Sequence, residues 1–140
     1  MKKTFYIWPF VLLMMILVGC GSTNDSSSTA NGTEQEVITV QHELGETLVN
    51  KYPEKVLVFD FGILDTLQAL DIDVVGLPKD SLPSYLEAYN HEDYRNVGSL
   101  KEPDFEEIAA IDPDLIIISG RQATLYDQLE ELAPTIHLGV

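Results

Sequence analysis

Asp112-Pro113-Asp114-Leu115-Ile116-Ile117-Ile118-Ser119-Gly120-Arg121-Gln122 is the stretch that decides the fold. A turn at Asp112-Pro113 gives way to four consecutive large apolar residues, and these give way to small and polar ones. A strand with one wet face alternates, whereas a run that is apolar at every position is buried on both faces, as parallel-sheet strands are. Leu115 to Ile118 is therefore expected as a central strand. Downstream, Ala123 to Ala133 carries Leu125, Leu129 and Leu132 on one helical face and stops before Pro134. Thr135 to Leu138 then reads as a last strand. Upstream, Lys55 to Phe59 is a second buried strand. Gly62 opens a helix to about Ala69, with Ile63, Leu67 and Leu70 facing inward. Val74 to Gly76 and Asn96-Val97 are brief strands, separated by a helical or irregular excursion from Ser81 to Tyr89. Asp104 to Ala110 is a helix with Phe105, Ile108 and Ile111 facing inward, and Asp104 with Glu107 has capping-box spacing. Val37 to Gln41 and Thr47 to Val49 flank a turn at Gly45 and read as a hairpin. Strands alternating with helices imply an α/β fold, a parallel sheet covered on both faces. The folded part is expected over residues 37–140, about the size of one modest core.

The amino terminus has a different character. Lys2 and Lys3 precede an apolar run from Phe5 to Val18, followed by Gly19-Cys20. At about 14 residues the run is shorter than the roughly 20 that span a bilayer, and it has the order of a secretory signal. Residues 1–19 are therefore read as a signal peptide. Leu17-Val18-Gly19-Cys20 resembles the bacterial lipobox, so Cys20 is expected to carry a diacylglycerol anchor at the extracytoplasmic face of the cell membrane. Two acyl chains hold a protein on a bilayer where one does so only marginally. Residues 20–36, rich in Gly, Ser, Thr and Asn, read as a flexible tether. With Cys20 lipidated no cysteine remains to form a disulfide, and Trp8 falls in the signal.

The chain carries a formal charge of −15. The signal holds Lys2 and Lys3 and no acid, so its removal takes −15 to −17. Such a field disfavours nucleic acid and anionic lipid surfaces. An anionic ligand needs a local cationic site set against it.

Three stretches that look catalytic lack an essential group. Val56 to Leu67 looks like the first motif of dehalogenase-type phosphatases, with Asp60 as nucleophile. The second Asp, two residues on, is Gly62, so no acid protonates the leaving group. His42-Glu43-Leu44-Gly45-Glu46 begins like a zinc-protease motif, but its second ligand position is Glu46 and the stretch reads as a strand turning. Asp71-Ile72-Asp73 lacks the spaced oxygens and the glycine of a calcium loop. His91 and His137 have no neighbours in sequence that suggest a metal site.

Taken in order, several stretches resemble one family. They are Glu43-Leu44-Gly45-Glu46-Thr47, Pro53 to Asp60, Leu64-Asp65-Thr66-Leu67, Val97 to Glu106, Asp112 to Gln122 and Pro134-Thr135-Ile136-His137. The set is similar to the substrate-binding lipoproteins of ABC transporters for iron–siderophore complexes, in particular those that take catecholates such as petrobactin. The resemblance implies two α/β lobes joined by a single long helix, with the ligand in the cleft between them. It also implies that residues 37–140 are the amino-terminal lobe, with the linking helix and second lobe outside this sequence. The expected activity is capture of a ferric siderophore and delivery to an ABC permease, by a monomer, without catalysis and without a resident cofactor. A haem or cobalamin receptor of the same fold is the alternative within the class. A phosphatase-like hydrolase using Asp60 is the alternative outside it.

The resemblance also nominates residues. Arg121 follows the Leu115–Ile118 strand, at the carboxyl end where α/β sheets gather ligands. A guanidinium there can pair with the oxygens of an anionic chelate. The family places a ligand-contacting lysine at Lys101, in the Gly98–Pro103 loop. Glu106, with Glu102 as its alternative, matches the acidic residue that docks on the permease. Asp60-Phe61-Gly62 would edge the cleft, where Gly62 permits a tight turn.

Overall fold

The computed structural model describes residues 36–139. The predicted signal, Cys20 and the tether up to residue 35 lie outside the described residues. The elements are β1 (Val37–His42), β2 (Gly45–Asn50), β3 (Val56–Val58), α1 (Phe61–Ala69), β4 (Gly76–Leu77), β5 (Arg95–Asn96), α2 (Phe105–Ile111), β6 (Leu115–Ile118), α3 (Tyr126–Glu130) and β7 (Thr135–His137). Short 3-10 turns occupy Lys79–Ser81, Ser84–Asn90 and Ala123–Leu125.

β3 to β7 form one parallel sheet in the order β5-β4-β3-β6-β7. The chain starts at β3 in the middle and builds outward through β4 to β5. It then returns to the other side of β3 and builds outward through β6 to β7. Alternation inside the apolar runs divides the core into two layers. Val56 and Val58 of β3 and Leu115 and Ile117 of β6 pack with Ile63 and Leu64 of α1 and with Leu86 and Tyr89. Leu57, Phe59, Ile116 and Ile118 point the other way, onto Ile108 of α2 and Tyr126 and Leu129 of α3. Both faces of the two central strands are therefore buried, which is why their sequences never alternate with polar residues.

The hairpin β1–β2 is a separate antiparallel pair with His42 opposite Gly45. It is tied to the sheet through Thr47, whose hydroxyl donates to the Thr135 carbonyl at 2.7 Å. That hydroxyl also accepts from His42 Nε2 at 2.9 Å, so His42 has a structural role at the turn. Burial pushes the nearby Tyr126 phenol above its ordinary pKa.

Three local expectations are corrected. The helix expected from Ala123 to Ala133 is broken: a 3-10 turn runs to Leu125, whose φ of −105° and ψ of 3° leave the helix, before α3 begins. Leu125 N bonds back three residues to the Gln122 carbonyl at 2.8 Å, which tightens this turn. Leu70, expected inside, is 63% exposed. It is the residue after α1 ends, and Asp71 at φ 57° swings the chain away. α1 itself begins at Phe61, one residue before the expected Gly62, because Asp60 caps it.

Candidate functional site

The strand order reverses between β3 and β6. At such a switch point the connections leave in opposite directions and open a crevice beyond the carboxyl ends of the two strands. Asp60 follows β3 here, and Ser119-Gly120-Arg121-Gln122 follows β6.

Asp60 is buried and fully engaged. Its Oδ1 accepts from the backbone N–H of Gly62 at 2.9 Å and of Ile63 at 3.1 Å, satisfying the free donors of the first turn of α1. Its Oδ2 accepts from Ser119 Oγ at 3.0 Å. Arg121 Nη1 stands 3.5 Å from the same oxygen, with its side chain 59% exposed against 8% for Asp60. A carboxylate held this way caps α1 and orients Ser119 and Arg121.

The second loop of the site follows β5. Gly98 sits at φ 91°, and a Cβ there would come within 2.5 Å of the Glu102 carbonyl, so only glycine closes this loop without displacement. Ser99 N–H donates to the Glu102 carbonyl at 3.0 Å, and Ser99 Oγ accepts from the N–H of Lys101 at 3.3 Å and of Glu102 at 3.0 Å. The result is a compact turn with the exposed Lys101 in it. Gln122 joins this loop to the other. It is fully buried; its Oε1 accepts from Ser119 N–H at 3.2 Å and its Nε2 donates to the Leu100 carbonyl at 2.5 Å. Gln122 carries no mark of its role in the sequence. A polar residue directly after an exposed arginine gives no local sign of burial.

The remaining cations are used elsewhere. Lys51 pairs with Glu36 and Lys55 with Asp112, Arg95 pairs with Glu107, and Lys79 Nζ donates to the His91 carbonyl. Lys101 has no ion-pair partner among the described residues, and Arg121 is held at 3.5 Å only. The two least committed cations of residues 36–139 thus flank one buried amide at the carboxyl edge of the sheet.

Glu106 is exposed in the first turn of α2. Asp104 caps that helix by accepting from Glu107 N–H at 3.0 Å, the forward half of the expected capping box. Glu102 is exposed in the Lys101 loop. Neither acid forms a salt bridge among the described residues, whereas Glu107 is taken by Arg95. No group of three or more His, Cys, Asp or Glu that could hold a metal occurs among the described residues.

The family model described as periplasmic binding protein matches residues 56–139. The petrobactin-binding protein YclQ of Bacillus subtilis is 48% identical over 144 residues, which take in 100% of this chain and 45% of YclQ. The ferric-anguibactin-binding protein FatB of Vibrio anguillarum is 31% identical over 128 residues, 91% of this chain and 39% of FatB. Among solved structures, that of YclQ matches with a TM-score of 0.73 at 56% identity, covering 75% of this chain and 38% of that one. The siderophore-binding protein BauB, bound to two acinetobactin molecules and ferric iron, matches with a TM-score of 0.70 at 37% identity, covering 75% of this chain and 37% of that one. The chain therefore spans less than half the length of these relatives. With a doubly wound parallel sheet, a switch-point site and a family match over most of the described residues, the chain belongs to the periplasmic binding protein family.

Proposed function

We propose that this chain supplies one lobe of an extracytoplasmic lipoprotein, anchored through Cys20, that captures a ferric siderophore of the catecholate class and delivers it to an ABC permease. The observation that carries the reading is the pair of exposed cations, Lys101 without an ion-pair partner among the described residues and Arg121 held only at 3.5 Å by Asp60, at the carboxyl edge of the sheet in a chain whose overall charge is strongly negative. An anionic chelate approaching that chain needs local positive charge, and charge-assisted hydrogen bonds from a guanidinium suit the oxygens that wrap the metal. YclQ, a petrobactin-binding protein, and FatB, a ferric-anguibactin-binding protein, point the same way. Relatives named as lipoproteins, YhfQ and YfiY of Bacillus subtilis, support the anchor. In this reading Asp60 serves as the cap of α1 and the partner of Ser119. Glu106 and Glu102, exposed beside the Lys101 loop, are the proposed contacts to the permease.

The test is a titration of the intact protein, freed of its lipid, with ferric petrobactin, followed by quenching of intrinsic emission. Loss of a charge-assisted contact costs about 1.5–3 kcal/mol, so Arg121→Ala should weaken binding on the order of tenfold to a hundredfold. Equal affinity in Arg121→Ala and wild type would overturn the site. Magnesium-dependent phosphatase activity abolished by Asp60→Asn would overturn the class.

A further inference from the structure

We propose that Gln122 is a positioning residue: its buried amide locks the Lys101 loop to the Arg121 loop, so that the two cations act as one site. This rests on the ligand reading above. An exposed lysine in a loop ordinarily loses much side-chain and loop freedom when it meets a ligand, and that loss cancels most of the contact. Here the loop is fixed beforehand. Gln122 Nε2 donates to the carbonyl of Leu100, the residue before Lys101, and Gln122 Oε1 accepts from Ser119 N–H, two residues before Arg121. On the far side Leu100 N–H donates to Ser81 Oγ at 3.3 Å, and the Gly98–Pro103 bridge closes the loop. The side chain is fully buried, so water does not replace a bond that is lost. A donor and an acceptor are needed together, facing opposite loops. Glutamate has no donor at neutral pH, and asparagine is one methylene too short to span both.

The experiment compares Lys101→Ala in two backgrounds, wild type and Gln122→Met, using the intact lipid-free protein and ferric petrobactin. Methionine keeps nearly the volume and flexibility of glutamine and removes both bonds. In wild type Lys101→Ala should weaken binding roughly tenfold, and in Gln122→Met the same change should cost less than about twofold. A residue that merely supports the fold would lower the melting temperature and leave the cost of Lys101→Ala the same in both backgrounds; that outcome overturns the inference. Lys101→Ala and Arg121→Ala both silent in wild type would instead bring down the ligand reading. If Gln122→Met does not fold, the wild-type protein decides. The side-chain amide protons of Gln122 should exchange slowly with deuterated solvent, and the diamagnetic gallium complex of petrobactin should shift the Gln122 Nε2 and Lys101 amide resonances together. Exchange at the rate of a free side-chain amide, or a Lys101 shift without a Gln122 shift, would overturn it.

Discussion

The two ends of the β3–β6 pair are built from similar groups and use them in opposite ways. At the amino end Asp114 accepts from the backbone N–H of Glu54 and Lys55, both at 2.9 Å. Lys55 Nζ donates to the Ile111 carbonyl at 3.2 Å and pairs with Asp112 at 3.0 Å. At the carboxyl end the acid again binds backbone N–H groups, those of Gly62 and Ile63, but the loops are held by uncharged side chains, Ser119 and Gln122. Arg121 keeps a 3.5 Å distance and Lys101 none at all among the described residues. One end closes the chain with its cation. The other closes it with neutral hydrogen bonds and leaves its cations facing outward. Such a division suits the binding edge proposed above, because Lys101 and most of the Arg121 guanidinium stay open to an anionic ligand.

Substitutions at the two ends and in their shared frame separate these roles. Ile116→Ala removes a fully buried side chain from the frame both ends share. It should lower the unfolding free energy by about 2–5 kcal/mol in urea melts. A cost below about 1 kcal/mol would mean that the ends stand on separate supports. Asp60→Ala removes the α1 cap and orphans Ser119 Oγ, and should cost about 1–3 kcal/mol in the same melts. Its counterpart at the other end, Asp114→Ala, should cost about 1 kcal/mol and leave the affinity for ferric petrobactin unchanged in a titration. Lys55→Met breaks an exposed pair and should cost less than about 1 kcal/mol, an effect that fades with added salt. Arg121→Ala should be its mirror image, leaving stability within about 0.5 kcal/mol while affinity falls. Should Lys55→Met weaken binding as Arg121→Ala does, the two ends would not differ in kind.

The long apolar strands were legible in the sequence because their signal is local and strong, whereas the two-residue strands were not placed closely: β4 is Gly76–Leu77 where Val74 to Gly76 is expected, and β5 is Arg95–Asn96 where Asn96-Val97 is expected. Leu115 to Ile118 is β6 as read, and Lys55 to Phe59 brackets β3 by one residue on each side. The cap of α2 was legible because Asp104 and Glu107 have the right spacing. The break between Ala123 and Tyr126 was not. Leu125, Leu129 and Leu132 all still pack on one cluster, so the periodicity survives although the helix does not. The place of Arg121 after β6 could be read from strand and loop order, whereas the link to Lys101 could not. It passes through Gln122 and Leu100, 22 residues apart in sequence, and no local pattern announces a hydrogen bond at that separation. Asp60 illustrates an intermediate case: its acid ahead of a helix is a capping signal, yet the motif around it draws attention to nucleophilic chemistry instead.

The strand order has a consequence for how the chain is made. Synthesis runs from the amino end, so β3, β4 and β5 emerge before β6, although β6 belongs against the open side of β3. In that interval β3 shows a bare row of backbone donors and acceptors, Asp60 lacks Ser119, which follows 59 residues later, and the Gly98–Pro103 loop lacks its anchor. Pairings across such distances close slowly, and an uncovered edge templates pairing with other chains. The inner edge of β3 is therefore covered only once Ile118 has been made, and the outer edge of β6 only once His137 has.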